Sequence, residues 1–121
     1  MIDSSFCCIN NAKFALSPFE MEMAMENTAD MMRYRDLYTK TIDKWGEKAQ
    51  YEQTVEECAE LIATLQHFIR GKVDSKVVVD ELADVYLMLG QLIYMFGEEG
   101  FTCALDKKIT KLQKLLNEEA L

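Results

Sequence analysis

Two long apolar segments that carry carboxylates at helical spacing limit what this chain can fold into. The first is VEECAELIATL, residues 55–65, and the second is VVVDELADVYLMLGQL, residues 77–92. The apolar residues recur as they do along one face of a helix. Because a carboxylate is costly to bury without a compensating partner, a fold that packs these segments together must give their acids something that neutralises them.

Glycine, proline and short polar stretches divide the rest of the chain into helices. One proline, five glycines and little alternation of the β type predict a nearly all-α protein. Gly71 is expected to cap the second helix, Asp74 or Ser75 to begin the third, and GEEG at 97–100 to form a turn. Because the connection at 70–75 is short, the two long helices should be antiparallel in a helical bundle. The predicted helices are 33–45, 50–69, 76–96 and 102–119.

The first 30 residues have a weaker pattern than the rest. We predict that residues 1–30 form an extension that is loosely ordered or partly helical, and that residues 31–121 form the helical domain. Ser17 and Pro18 are suited to open a helix in the extension. Met31 and Met32 are candidate alternative starts, since the firm helical pattern begins directly after them.

Charge and cysteine content exclude several classes of function. A net charge of −8 repels nucleic acid and anionic membranes, so neither is expected as a partner. No basic and then apolar leader is evident, and we predict a cytoplasmic protein. The four cysteines contain no CxxC pair, which argues against structural zinc. Cys58 and Cys103 lie in apolar helical patterns and are expected to be buried, reduced thiols.

The acids of the two long helices are predicted to converge. Glu57 and Glu60 are three residues apart and share one helical face, and Glu81 and Asp84 repeat this spacing on the next helix. In an antiparallel hairpin the two pairs lie at similar heights, and their mutual repulsion must be relieved either by protonation or, better, by a divalent cation. Hard oxygen ligands without histidine fit Mg²⁺ or Mn²⁺. The absence of a Glu-x-x-His pair disfavours redox iron.

The segments that carry these acids resemble the MazG-like, all-α nucleoside triphosphate pyrophosphohydrolases, in particular the short single-domain forms of bacteria and phages. The resemblance covers roughly residues 33–116. It rests on an EExxE motif followed after a hairpin by ExxD, and on an upstream WG…Q pattern. In this chain those motifs are Glu56, Glu57 and Glu60, then Glu81 and Asp84, preceded by Trp45, Gly46 and Gln50.

The resemblance implies Mg²⁺-dependent hydrolysis between the α- and β-phosphates of a nucleoside triphosphate, giving a nucleoside monophosphate and pyrophosphate. Glu57, Glu60, Glu81 and Asp84 would hold the metal, and Glu56 would bind a further ion or act as the catalytic base. Non-standard or deoxynucleotides such as dUTP or dCTP are candidate substrates. Bound cations would also let a protein of net negative charge hold a triphosphate.

Four further residues are candidates for binding the substrate. Trp45 could stack on a base, or serve only as a packing anchor at a helix end. Gln50 could bond a base edge. Lys108 and Lys111 belong to a basic strip on the last helix, in the region where the resemblance places phosphate-contacting residues, although such a strip is also typical of a solvated face.

Two other functions compete with this one. The chain could be a non-catalytic helical protein that kept the bundle for binding or regulation, or an enzyme like the phosphoribosyl-ATP pyrophosphohydrolase of histidine synthesis. The apolar positions of the second helix include Val55, Ile62, Leu65 and Ile69. So few helices leave apolar faces uncovered, which predicts a homodimer or homotetramer with sites at or near the subunit interfaces.

Overall fold

Helices make up the regular structure of the chain wherever it is described. The structure, a computed structural model, describes residues 17–19, 22 and 30–119. The predicted all-α class is confirmed for these residues, while most of the predicted extension lies outside them. The helices are α1 (Arg35–Trp45), α2 (Glu47–Ile69), α3 (Ser75–Phe96) and α4 (Glu98–Glu119).

A single glycine separates α1 from α2. Gly46 has a φ of 86°, a left-handed conformation that favours glycine, and its N–H donates to Ile42 O at 2.8 Å. The helix resumes at Glu47, three residues before the predicted start. This tight break brings the last turn of α1 beside the first turn of α2.

The connection between α2 and α3 has the predicted capping residues. Gly71 has a φ of 71°, and its N–H donates to Phe68 O at 2.9 Å, as expected at the end of a helix. The Asp74 carboxylate accepts from the backbone N–H groups of Lys76 and Val77 at 3.0 and 3.4 Å. These contacts satisfy backbone groups at both helix ends and confirm the short turn.

The predicted turn at 97–100 is shorter than expected. Only Gly97, with a φ of 111°, interrupts the helical backbone, and α4 begins at Glu98. Glu98 and Glu99 occupy the first turn of α4, where negative side chains are favoured by the helix dipole. The prediction that all four residues form the turn was wrong, because two glutamates that look like loop residues are also good helix starters.

Residues Met31–Met95 form one compact unit, which contains α1, α2 and nearly all of α3. Its largest fully buried side chains are Tyr38 and Met32, each 2% exposed, and Gln91, 1% exposed. The Tyr38 hydroxyl donates to Met31 O at 3.0 Å, and a Cβ on Gly90 would lie 2.2 Å from that hydroxyl oxygen. Gly90 therefore lets α1 approach α3 closely.

Side-chain neighbours across the hairpin establish that α2 and α3 are antiparallel. Gln50 of α2 lines the same cavity as Gln91 of α3, whereas Glu57, two turns later on α2, lies beside Asp84, two turns earlier on α3. The residue numbers rise along one helix as they fall along the other. The predicted antiparallel arrangement of the two long helices is thus present within this unit.

Much of the apolar face of α2 is open to solvent in the single chain. Val55, Ile62 and Ile69 are 69%, 64% and 74% exposed. The buried residues of α2 are instead polar: Gln50, Thr54 and Thr64. The apolar pattern correctly predicted a helix, but the face that packs within this unit is a different and more polar one.

The remaining described residues, those before Met31 and those from Phe96 onward, belong to a second compact unit. Thr102 and Cys103 are its most buried side chains among those described. Cys103 is disulfide-bonded, so the expectation of a reduced thiol is wrong there, while Cys58 of the first unit is a free, half-buried thiol. Among the described helices, none has the length and apolar character needed to cross a membrane.

Candidate metal centre and adjoining cavity

Three carboxylates from α2 and α3 meet in one place. Each of Glu57, Glu81 and Asp84 offers one oxygen, and the three oxygens lie within 4.8 Å of one another. Helical geometry explains the grouping, because Glu81 and Asp84 are three residues apart on one face of α3 and Glu57 lies across the hairpin at the same height. We call these residues the acidic trio.

Two oxygens of the acidic trio are buried and have no hydrogen-bond partner among the described residues. They are Glu57 Oε2 and Glu81 Oε2. The other oxygen of Glu57 accepts a hydrogen bond from Gln53 Nε2 at 2.6 Å, which fixes the orientation of the carboxylate. Buried carboxylate oxygens are normally paired, since an unpaired one carries a full desolvation cost. This pair of oxygens therefore lacks a positive or proton-donating group.

Glu60 and Glu56, the other two acids of the sequence motif, lie at the edge of this cluster and are exposed. The pKa of Glu60 is raised, first by the negative charge of Glu57, then by partial desolvation and by the charges of Glu81, Glu56 and Asp84. The pKa of Glu60 therefore responds to the charge of every member of the trio, although Glu60 is not one of the three grouped residues. The structure places it one turn further along α2 than Glu57.

The acidic trio suits a hard divalent cation. Octahedral Mg²⁺ has oxygen ligands at about 2.0–2.1 Å, so opposite ligands are separated by about 4.2 Å. Neighbouring ligands of such an ion are only about 3 Å apart, so the three oxygens, which lie within 4.8 Å of one another, would have to move closer together to share it. The set is all-carboxylate, with no histidine or thiol, which matches Mg²⁺ or Mn²⁺ better than zinc or redox metals.

A cavity of about 410 Å³ lies next to the acidic trio. Gln53 connects the two, because it lines the cavity and also donates to Glu57. The volume falls within the roughly 300–1,000 Å³ range of small-molecule sites. The cavity is built by all three helices of the unit, and its lining includes Thr41, Trp45, Gln50, Gln53, Met88 and Gln91.

Two buried glutamines in this lining use their amide N–H groups within the protein. Gln50 Nε2 donates to Thr41 O at 3.4 Å and to Gly46 O at 3.3 Å. Gln91 Nε2 donates to Thr41 Oγ1 at 2.9 Å, and that hydroxyl in turn donates to Tyr38 O at 2.8 Å. These bonds link α1 to α2 and α3 at the break around Gly46.

The predicted substrate-binding residues have different surroundings. Gln50 and Trp45 both line the cavity, and Gln50 is buried whereas Trp45 is 59% exposed. Lys44 Nζ lies 4.8 Å from the centre of the Trp45 ring. Lys108 and Lys111 are exposed on α4, which belongs to the second unit. The structure therefore joins Trp45 and Gln50 to the same region as the acidic trio.

Three residues of this region were not predicted from the sequence. Gln53 could have been found, because glutamine and an acid four residues apart interact on a helix surface. Gln91 lies seven residues after Asp84, on the same stripe of α3, but nothing in the sequence indicated its contact with Thr41, since the two residues are 50 positions apart.

Comparison of the chain with protein-family models, with curated proteins and with solved structures found no match. The resemblance to the MazG-like enzymes thus rests on the motif residues of the sequence alone.

Proposed function

We propose that the chain is a metal-dependent nucleoside triphosphate pyrophosphohydrolase of the MazG-like type. The acidic trio would bind Mg²⁺, or Mn²⁺ in its place, and the cation would hold the phosphates of the substrate. The observation that carries this proposal is the pair of buried, unpartnered oxygens on Glu57 and Glu81. A divalent cation is the simplest group that would satisfy both and also attract a polyanion to an acidic protein.

The position of the cavity supports a nucleotide as substrate. A triphosphate bound through a cation at the trio would have its nucleoside end next to the space lined by Trp45 and Gln50. Trp45 would stack on the base, and its partial exposure leaves one ring face available. Lys108 and Lys111 remain candidates for phosphate contacts on the grounds of the resemblance alone.

In the proposed reaction a water oxygen attacks the α-phosphorus, and the bond from that phosphorus to the α,β-bridging oxygen breaks. The products are a nucleoside monophosphate and pyrophosphate. A bound cation would supply charge neutralisation for the phosphates and lower the pKa of the attacking water. Glu56, which is exposed, would accept the proton of the water, and Glu60 would be a further ligand of the metal.

A second function has one observation in its favour. The exposed apolar residues of α2 would suit a helical binding or regulatory module that makes no use of metal chemistry. A binding module does not explain why the buried oxygens of the trio are unpaired, so we prefer the proposal of an enzyme. A phosphoribosyl-ATP pyrophosphohydrolase would share the acids, but the sequence has no strongly basic loop for its additional phosphate.

We further propose that a second copy of the chain covers the exposed face of α2, as a homodimer or homotetramer. Val55, Ile62 and Ile69 lie seven residues apart, which places them along one stripe of the helix. A stripe of this kind is typical of a helix that packs against a partner helix.

A cytoplasmic location fits a substrate that is made and used inside cells. The free thiol of Cys58 agrees with a reducing compartment, whereas the disulfide at Cys103 counts against one. We retain the cytoplasm as the proposed location because of the substrate.

The test is release of pyrophosphate from a panel of nucleoside triphosphates, with Mg²⁺ or with a chelator. Activity should require the metal and should disappear in Glu57→Gln and Asp84→Asn, while the helical circular dichroism signal is retained. Asp80→Asn, which removes an exposed acid of α3 outside the trio, is the matched control and should remain active. Full activity in the two trio variants would refute the site.

A further inference from the structure

We infer that the cavity selects a base with an amino group at the position that O4 occupies in uracil, namely cytosine (N4) or adenine (N6), and that Gln91 and Gln50 determine this preference. The inference rests on the proposed function, since it concerns the nucleoside end of the same substrate. It comes from the hydrogen-bonding capacity that the two buried glutamines leave unused on the cavity side.

The orientation of the Gln91 amide is fixed by its partner. The Thr41 hydroxyl has one proton, and it gives that proton to Tyr38 O at 2.8 Å. Thr41 Oγ1 can therefore only accept from Gln91, so the NH₂ group of the amide must face it at 2.9 Å. The carbonyl Oε1 of Gln91 then points to the other side of the amide.

The orientation of the Gln50 amide is fixed in the same way. Its nitrogen lies 3.4 Å from Thr41 O and 3.3 Å from Gly46 O, which are both acceptors. An amide oxygen in that position would face two carbonyl oxygens with no proton between them. The Nε2 group of Gln50 therefore also donates to the protein, and its Oε1 acceptor is left unused.

Neither Oε1 accepts a hydrogen bond from the described residues. Neither is fully buried, in contrast to the unpaired oxygens of Glu57 and Glu81. Each of these two acceptors therefore keeps some solvent-accessible area, although Gln50 and Gln91 are only 5% and 1% exposed, and the open space that both glutamines line is the cavity. The cavity consequently offers acceptors to a base, while the amide donors of both residues are already used.

The bases differ in whether their edges offer hydrogen-bond donors to these two acceptors. Cytosine and adenine present an amino group with two donor hydrogens, at N4 and N6. Uracil and thymine present the O4 acceptor at the corresponding position and have a single donor, N3–H, on the same edge, so they could satisfy at most one of the two glutamine oxygens. A site that leaves buried polar groups unpaired rejects the wrong analogue strongly. We expect kcat/KM to favour dCTP over dUTP, and dATP over dTTP, by at least about tenfold.

The experiment measures pyrophosphate release from dCTP, dUTP, dATP and dTTP with Mg²⁺, together with binding of cytidine and uridine, which have no phosphate. Gln91→Met keeps the length of the side chain but removes the acceptor, and it should bring the two pyrimidine substrates to within about threefold of each other. Gln66→Met, at an exposed position of α2, is the matched control and should keep the wild-type preference. A thermal melt identifies any variant that fails to fold, and the wild-type panel decides the question without the variants.

The outcomes separate this inference from the proposed function. Hydrolysis of all four substrates at similar kcat/KM, or a preference for dUTP, would overturn the inference and leave the proposed enzyme intact. Tighter binding of cytidine than uridine in a protein that releases no pyrophosphate would support the base preference and overturn the proposed reaction. Equal binding of both nucleosides would count against the inference whatever the activity.

Discussion

Replacing Glu81 by glutamine should make the metal-free protein more stable and the protein insensitive to Mg²⁺. Glu81 lies within 4.8 Å of an oxygen of Glu57 and of an oxygen of Asp84. Two unit charges at 4.8 Å repel by about 3.5 kcal/mol at an effective dielectric constant of about 20. Salt and the exposure of Asp84 screen this repulsion, so we expect a net gain of about 1–2 kcal/mol.

The gain can be measured as a change in melting temperature with a chelator present. For 121 residues the entropy of unfolding is about 250 cal/mol/K, so 1 kcal/mol corresponds to about 4 °C. Glu81→Gln should then melt about 4–8 °C above the wild type. Asp80→Asn removes a charge from the same helix outside the trio and should change the melting temperature much less.

Addition of Mg²⁺ should reverse the order of the two proteins. At a hundredfold excess over its dissociation constant, a ligand stabilises the folded state by about 2.7 kcal/mol, or about 10 °C here. The wild type should show this rise and Glu81→Gln should show little of it. A metal-free Glu81→Gln protein that melts below the wild type, or an equal Mg²⁺ response in both, would refute the reasoning.

Three further outcomes are expected. Without metal, the stability of the folded state should fall as the pH rises through and above the usual carboxyl range, because the charge of Glu57 raises the pKa of Glu60 and the folded state therefore holds that proton more tightly than the unfolded chain. Glu60→Gln should flatten the dependence of melting temperature on pH, and an unchanged slope would contradict this. Gly90→Ala should lower the free energy of unfolding in urea by about 1–3 kcal/mol, since the new Cβ meets the tyrosine hydroxyl, and adding Tyr38→Phe to the same chain should recover part of that loss. Strictly additive effects of the two substitutions would argue against the contact. Ile62→Glu should reduce the mass measured by sedimentation to that of one chain, whereas a wild type that is already monomeric would remove the proposed interface.

The helical framework could be predicted from the sequence because its signals are local. Gly71 and Asp74 mark the ends of α2 and α3 through the backbone geometry and capping bonds that these residues favour. The trio could be predicted for the same reason, since three-residue spacing and a short hairpin fix the positions of Glu57, Glu81 and Asp84. The same spacing groups Glu60 with them, and its role as a metal ligand stays a prediction; the charges of all three raise its pKa.

The burial pattern could not be predicted, because it depends on which surfaces meet. The apolar residues Val55, Ile62 and Ile69 are exposed, while the polar Gln50 and Gln91 are buried. The glutamines are stabilised by the carbonyl groups of the break at Gly46 and by the hydroxyl of Thr41. Such contacts arise only after α1 has folded against the hairpin, so periodicity along one segment contains no trace of them.

Titration with Mn²⁺, followed by electron paramagnetic resonance, tests the metal site most directly. We expect the signal of free Mn²⁺ to be lost as the wild-type protein captures the ion, and Mg²⁺ to compete for the same position. Capture should fail in Glu57→Gln and Glu81→Gln and persist in Asp80→Asn. A wild-type protein that leaves Mn²⁺ free in solution at millimolar concentrations, or trio variants that bind it as well as the wild type, would contradict the account.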